Sequence, residues 1–308
     1  MLGSAIAQAL LRRGTGVLRL VRRDPQTPHE FRWNPVPHNG STHASAAQIS
    51  GMSADDIQRL EGIDAIIHLS GANVAARRWT TAYKQEMTAS RVITTRALAE
   101  MLAQMRYPPE TLITASAVGF YGDRGDEILD ESSVAGRGFF ADLCSAWEAA
   151  AQPAVEIGVR VIHLRFGMVI GHGGAMAKLA PLFRMGIAGR LGSGRQWISW
   201  VSEADAVGIV LFLLDQLSSS RLQTGILSGP VNAVAPEPVT NAKFTSELAH
   251  AVNRPAVLPA PAFALRLAFG EMADEALLAS IRAVPRRLIQ AEYAYRCPTL
   301  SEAFAAVL

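Results

Sequence analysis

The sequence predicts an α/β chain built on a doubly wound parallel sheet with a smaller C-terminal lobe. Three observations carry this expectation. Apolar runs of strand length recur at "IDAIIHLSG", "TLITAS" and "VRVIHLRFG", stretches of helical spacing separate them, and after Gly171 the rhythm breaks into glycine-rich loops and short elements. A strand that is apolar at every position, rather than at alternate ones, is buried on both faces, as in a parallel sheet flanked by helices. The expected division is residues 1–170 and 171–308, with the second lobe interleaved with the first.

Taken in order, Leu2, Ile6, Ala9 and Leu10 fall on one helix face, Gly14 supplies the stop, and Val17 to Val21 is an apolar run of strand length. From Asp24 to Gly51 the chain is rich in Pro, His, Asn, Ser and Thr, which reads as an irregular excursion with one candidate strand at "HEFRW". Ser53 and Asp56 have capping-box spacing for a short helix. Between Trp79 and Met105, Val92, Thr95, Leu98, Ala99 and Leu102 recur at helical spacing, and "YPPE" ends that helix. Residues 139–152 read as a further helix, as do "PEPVTNAKFTSELAHAVNRP" and the stretch from Pro261 onward.

Composition narrows the classes. With 49% hydrophobic and 18% charged residues over 308 positions, the chain has ample material for a core. The net charge is only +2 and the arginine pairs are scattered, so no basic stripe points to nucleic acid. The longest apolar run, Ala206 to Leu214, is about half of what a membrane span needs. It is expected to be a buried helix, and no membrane association is expected. Cys144 and Cys297 lack metal-ligand spacing, which fits a reducing cytoplasm. The stretch from Met1 to Leu11 has no basic start of the kind a secretory signal carries.

The opening "MLGSAIAQALLRRGTGVLRLVRRD" reads as the middle of a nucleotide-binding βαβ unit. In such a unit a strand runs into a glycine-rich turn, and the N–H groups at the start of the next helix hold a pyrophosphate. Gly3 matches the last glycine of that turn; the bland alternative is a glycine at a helix start. Arg22 and Arg23 follow the second strand, where a carboxylate would bind the ribose of NAD and a basic group the phosphate of NADP. "HLSG" places Leu69, Ser70 and Gly71 at the carboxyl end of the next strand, beside such a cofactor.

Together with these, "GIDAIIHLSGANVAARRWT", "SRVITTRALAE", "TASAVGFYGDRGDE", "DLCSAWEAAA", "GSGRQWISWV" and "MADEALLASIRAVPRRLIQAEYAYRCPTLSEA" resemble the atypical extended short-chain dehydrogenase/reductases. These are sugar-nucleotide epimerase-like proteins of the NAD(P)-dependent epimerase/dehydratase superfamily with a small C-terminal domain of unknown function, and the resemblance runs from Leu2 to Leu308. It implies a Rossmann-like fold that binds NADP(H), with NAD the less favoured cofactor. Matched motif to motif, it implies cofactor contacts at Gly3, Arg22, Arg23, Leu69, Ser70, Glu86 and Arg91, the last two from "KQEMTASR". A helix-surface ion pair is the alternative for Glu86 and Arg91.

Two departures from the family pattern follow. The strand and two glycines that should precede Gly3 are absent from this chain, so the sheet is expected to lack its first, central strand, and an upstream start is the favoured explanation. The superfamily's catalytic Ser and Tyr-x-x-x-Lys set is matched only at Ser116, because Phe140 and Cys144 stand where the tyrosine and lysine belong. Phenylalanine has no proton to give, and a neutral thiol cannot stabilise a phenolate. Tyr121, Asp123, Glu127 and Lys178 are candidate substitutes, Tyr121 foremost, although such loop residues are more often structural. A reactive thiol is a further reading of Cys144, with a small buried cysteine the plainer one. Trp197 and Trp200 would line a substrate cleft or pack in the core; His68, His163 and His250 read as structural. The resulting expectation is an NADP-dependent oxidoreductase or epimerase-like enzyme acting on a small, nucleotide-linked substrate; the alternative is a non-catalytic NADP(H)-binding sensor or interaction protein.

Overall fold

A computed structural model of the chain describes residues 1–35, 51–219 and 227–308. The strands are β1 (Arg19–Val21), β2 (Glu30–Arg32), β3 (Ala65–His68), β4 (Thr111–Ala117), β5 (Ile128–Leu129), β6 (Arg160–Phe166), β7 (Met168–Ile170), β8 (Trp197–Ile198), β9 (Trp200–Ser202), β10 (Gly229–Ala233), β11 (Val239–Thr240) and β12 (Arg282–Ala283). The helices are α1 (Leu2–Arg12), α2 (Ala54–Arg59), α3 (Thr81–Thr88), α4 (Thr94–Leu102), α5 (Phe139–Ala149), α6 (Gln152–Glu156), α7 (Gly174–Arg184), α8 (Glu203–Ser219), α9 (Asn241–Ala251), α10 (Ala262–Phe269), α11 (Arg286–Gln290) and α12 (Leu300–Ala305). A π-helical turn, Ala89–Ile93, joins α3 to α4. The later part of the excursion read between Asp24 and Gly51 lies outside the described residues.

The expected α/β fold is borne out. Four parallel strands pair in the order β10, β6, β4, β3, and each apolar run supplies side chains to two layers. Ile66, Leu112 and Val161 pack against Leu98, Met101 and Leu102 on one face. Their neighbours Ile67, Ile113 and Ile162 meet Ile6, Ile209 and Leu213 on the other. The strict alternation of strand side chains is thereby satisfied twice, which explains why the runs carry apolar residues at consecutive positions. Ala206 to Leu214 lies within α8 as an interior helix, and no helix among the described residues is long and apolar enough to cross a membrane.

β1 and β2 form a separate parallel pair, and among the described residues no strand lies between it and β3. Side chains meet instead: the ring of Trp33, one residue past β2, stands edge-on to His68 at 5.8 Å. Trp33 Nε1 and His68 Nε2 are both buried without a hydrogen-bond partner among the described residues. Burial, reinforced by the charge of Arg22, pulls the His68 pKa down from 6.5 to about 4.

Past Gly171 the chain does not form an isolated body. β10 re-enters the four-stranded sheet, and β9 and β12 pair with β7 and β5 of the first part. Trp200, Phe183, Phe244 and Phe304 form a second core between α7, α9 and α12. Asp205, fully buried at the start of α8, ties down the C-terminal segment. Its carboxylate accepts from Ser202 Oγ at 2.6 Å, the Arg296 N–H at 2.7 Å and the Cys297 N–H at 3.0 Å.

Candidate functional site

The carboxyl end of β3 meets the start of α1. A Cβ placed on Gly3 would lie 4.0 Å from Leu69 Cδ1, and the Met1 side chain rests on Gly173, so the N–H groups opening α1 converge with the loops that follow β3 and β7. A helix start at this edge is where a dinucleotide pyrophosphate binds. Leu69 and Ser70 are half-buried, Gly71 is exposed, and Ser70 Oγ makes no hydrogen bond among the described residues.

The loop after Gly71 is clamped by the π-helical turn. Ser90 Oγ accepts the Ala72 N–H at 3.0 Å, and Arg91 Nη2 donates to the Ala72 carbonyl at 2.9 Å, so the backbone of one residue is held on both sides. The extra residue of a π turn is what lets two consecutive side chains face inward here. Arg91 is only 8% exposed, and a Cβ on Gly71 would come within 3.0 Å of its Cζ. Glu86 sits elsewhere in character: it is half-exposed and pairs loosely with Arg77 at 3.8 Å.

The structure separates the two arginines after β1. Arg23 is gripped by Glu30 through two bonds, Nη1 to Oε2 at 2.9 Å and Nη2 to Oε1 at 2.6 Å. Arg22 is exposed and has no ion-pair partner among the described residues, and its charge reaches His68 at the end of β3. The nearby Asp24 is held by Arg32 at 2.9 Å. Among the described residues, the end of this strand therefore offers an unengaged cation and no unengaged carboxylate.

Ser116 is the penultimate residue of β4, and the parallel register sets it opposite Arg165 on β6, so both side chains leave the sheet on the same side. Glu148 of α5 lies between them. Its Oε1 accepts from Ser116 Oγ at 2.7 Å and from Arg165 Nε at 2.8 Å, and its Oε2 accepts from Arg165 Nη2 at 2.8 Å. Arg165 Nη1 then donates to the Tyr121 hydroxyl at 3.0 Å, and that hydroxyl donates to Asn232 Oδ1 at 2.8 Å. Burial would pull the Arg165 pKa down, but the hydrogen bonds and charge of Glu148 more than offset it and raise it. Burial pushes the Tyr121 pKa up despite the neighbouring Arg165. Ser116 is 3% exposed and Tyr121 is fully buried.

Phe140 and Cys144 lie on the α5 face that leads to Glu148, at successive four-residue steps. Phe140 packs so closely on Gly119 that any Cβ there would penetrate the ring. Cys144 is buried, its thiol pushed up to about 12 by burial and by the charge of Glu148. Among the other candidate donors, Lys178 Nζ donates to the Ala75 carbonyl at 2.6 Å, Glu127 pairs with Arg124, and Asp123 accepts the Ser280 N–H. Trp200 belongs to the second core, whereas Trp197 donates from Nε1 to Asp126 at 2.7 Å beneath the Arg282 guanidinium. No cluster of metal-ligating side chains occurs among the described residues.

Sequence reasoning passed over Ser90, Glu148, Arg165 and Asn232. Glu148 was signalled by its four-residue step from Cys144, and Arg165 by the parallel register once "TLITAS" and "VRVIHLRFG" are aligned as neighbours. Asn232 carried no such signal, because β10 joins the sheet from the far side of the lobe boundary.

Comparison with known proteins agrees with the fold. The model of the NAD dependent epimerase/dehydratase family matches residues 1–224, and that of a domain of unknown function, DUF1731, matches residues 260–307. An epimerase family protein of Mycobacterium bovis is 42% identical over 304 residues, covering 98% of this chain and 93% of the relative. The mouse epimerase family protein SDR39U1 is 33% identical over 312 residues, covering 100% of this chain and 96% of its own length. The crystal structure of human SDR39U1 (isoform 2) with NADPH superposes with a TM-score of 0.83 at 28% identity, covering 100% of this chain and 95% of that one. The chain belongs to the NAD-dependent epimerase/dehydratase family.

Proposed function

We propose that this chain binds NADP(H) along the carboxyl edge of its sheet without using a serine, tyrosine and lysine proton relay. The observation that carries this reading is the α5 face. Phe140 is packed against Gly119, Cys144 is a buried neutral thiol, and the Ser116 hydroxyl is committed to Glu148. A group that polarises a substrate carbonyl must aim its proton at that carbonyl. Ser116 aims its proton into the protein.

The cofactor side of the site fits a phosphorylated dinucleotide. The start of α1 beside Leu69 and the open backbone at Gly71 would take the pyrophosphate and the adjoining ribose, and Arg22 would take the additional phosphate. The unengaged cation at the end of β1, with Asp24 and Glu30 already paired, favours NADP(H) over NAD(H). The NADPH in the human SDR39U1 structure supports the same choice. When bound, the nicotinamide supplies hydride chemistry; the protein's part is to orient it and exclude water.

The second reading is an epimerase or oxidoreductase acting on a small, nucleotide-linked substrate, with Ser116 and Tyr121 in the site. It is favoured by the buried Glu148, Arg165 and Tyr121 cluster at the carboxyl ends of β4 and β6, where open α/β sheets hold their ligands. The two readings separate when the NADPH-loaded protein is offered a panel of sugar nucleotides and carbonyl compounds. Retained, unoxidised cofactor across the panel is expected, and turnover abolished by Ser116→Ala would establish the second reading.

A further inference from the structure

The second lobe holds a cavity of about 400 Å³ that takes no part in the site at the edge of the sheet. One wall is a face of α9, where the small residues Ala242, Thr245, Ser246 and Ala249 recur at helical spacing. The facing wall is Arg190 with the segment 256–259. Main-chain bonds brace both walls. The Leu258 N–H donates to the Ala188 carbonyl at 3.3 Å, the Ala260 N–H to that of Arg190 at 2.9 Å, and the Ala242 N–H to that of Gly194 at 2.8 Å. Small side chains thus leave the hollow open and a braced backbone keeps it so. Its volume lies towards the lower end of the roughly 300–1,000 Å³ of ligand pockets, which suits a small molecule.

Two polar groups in the lining are unspent. Thr245 is only 6% exposed, yet its hydroxyl makes no hydrogen bond among the described residues. Other helical hydroxyls of the chain turn back onto the carbonyl four residues before, Thr94 Oγ1 to Ser90 at 2.7 Å and Ser145 Oγ to Ala141 at 2.9 Å. Thr245 does not do so. A buried hydroxyl without a partner is unfavourable, and an acceptor on a ligand would satisfy it. Arg190 is an exposed cation with no ion pair among the described residues. Its stem lies beside Gly194, where a Cβ would stand 3.2 Å from Arg190 Cδ and 3.3 Å from Ala242 Cβ. Among the described residues no carboxylate lines the cavity; Glu247 of α9 faces, with Lys243, a separate hollow beside Trp200.

These features fit an anion with an apolar body. The guanidinium is a planar fork that matches a carboxylate, Thr245 adds one hydroxyl, and Ala249, Ala256 and Val257 supply apolar surface, Val257 being 69% exposed at the lip. A phosphate dianion would call for more donors, and the N–H groups opening α9 are already spent on Gln196, Gly194 and Thr240. We propose that this cavity binds a small monocarboxylic acid, its carboxylate on Arg190 and Thr245 and its hydrocarbon part between α9 and the segment 256–259. The site stands apart from the NADP(H) reading and does not depend on it.

The test is calorimetric titration of the chain with octanoate, phenylbutyrate and naphthoate, with octanamide as the uncharged counterpart and inorganic phosphate as a charge without an apolar body. Saturable, submillimolar binding of at least one acid is expected, and octanamide should bind at least about tenfold more weakly than octanoate. Arg190→Met keeps the stem without the charge and should weaken the acid at least about tenfold; Thr245→Val, nearly equal in shape, should weaken it about fivefold. Ser246→Phe, at an exposed position of α9, places a ring in the mouth and should abolish binding, with circular dichroism showing that each variant is folded. Absence of saturable binding by all of these acids overturns the proposal. So does octanamide bound as tightly as octanoate, phosphate bound more tightly than every acid, or binding that Arg190→Met and Ser246→Phe leave unchanged, which places the acid elsewhere on the protein.

Discussion

Arg165 and Glu148 form a two-pronged ion pair, 2.8 Å at each prong, in which the arginine side chain is 4% exposed and the carboxylate 12%. This pair joins β6 to α5 and holds the Ser116 and Tyr121 hydroxyls in place. Removing one partner of a buried pair strands the other charge, so Glu148→Ala is expected to destabilise the fold by about 3 kcal/mol. The double variant Glu148→Leu with Arg165→Met should cost less than either single change, because no charge is left unpaired. Urea denaturation midpoints measure both, and a double variant as unstable as the sum of the singles would refute the assignment.

Neither cysteine should behave as a reactive thiol. Cys144 and Cys297 are both buried, and the Cys144 thiol is pushed up to about 12. The thiolate is the nucleophile, and at Cys144 almost none is present near neutral pH. A thiol reagent should therefore label neither residue in the folded protein and both after denaturation. Rapid labelling of Cys144 in the native state would show that it is accessible and activated.

His68 should make stability depend on pH. Its folded pKa, about 4, lies below the unfolded value of 6.5, because burial and the charge of Arg22 both disfavour the imidazolium. The contribution of the neutral ring is fully present above pH 6.5 and is lost as pH falls through about 4, the loss amounting to about 3 kcal/mol. His68→Gln should flatten the stability profile across this window relative to the unaltered chain. Parallel profiles for the two proteins would contradict the buried, neutral assignment.

Much of the fold was legible because burial on two faces writes itself into sequence as continuous apolar runs. β3, β4 and β6 fall within the quoted stretches, and Ser53 caps α2 by accepting the Asp56 N–H at 3.1 Å, as its spacing indicated. "HEFRW" contains β2. Less could be read where a structure depends on partners distant in the chain. The π turn at Ala89–Ile93 is hidden inside a segment of ordinary helical periodicity, since one inserted residue changes which side chains face inward but not the composition. The different fates of Arg22 and Arg23 depend on Glu30, whose partner no local pattern names. Likewise, Ser116 was visible as a serine near a strand end, but Glu148, which accepts its hydrogen bond, comes from another element 32 residues later.

The most direct test of the account is a side-by-side titration of the unaltered chain and Arg22→Asp with NADPH and NADH. With Arg22 as the unengaged cation at the end of β1, the unaltered chain should prefer NADPH by at least about tenfold, the value of a charge-assisted phosphate contact. Arg22→Asp should erase or reverse that preference. Equal affinity for both nucleotides in the unaltered chain, or a preference untouched by Arg22→Asp, would contradict the placement of the cofactor phosphate on which the functional reading rests.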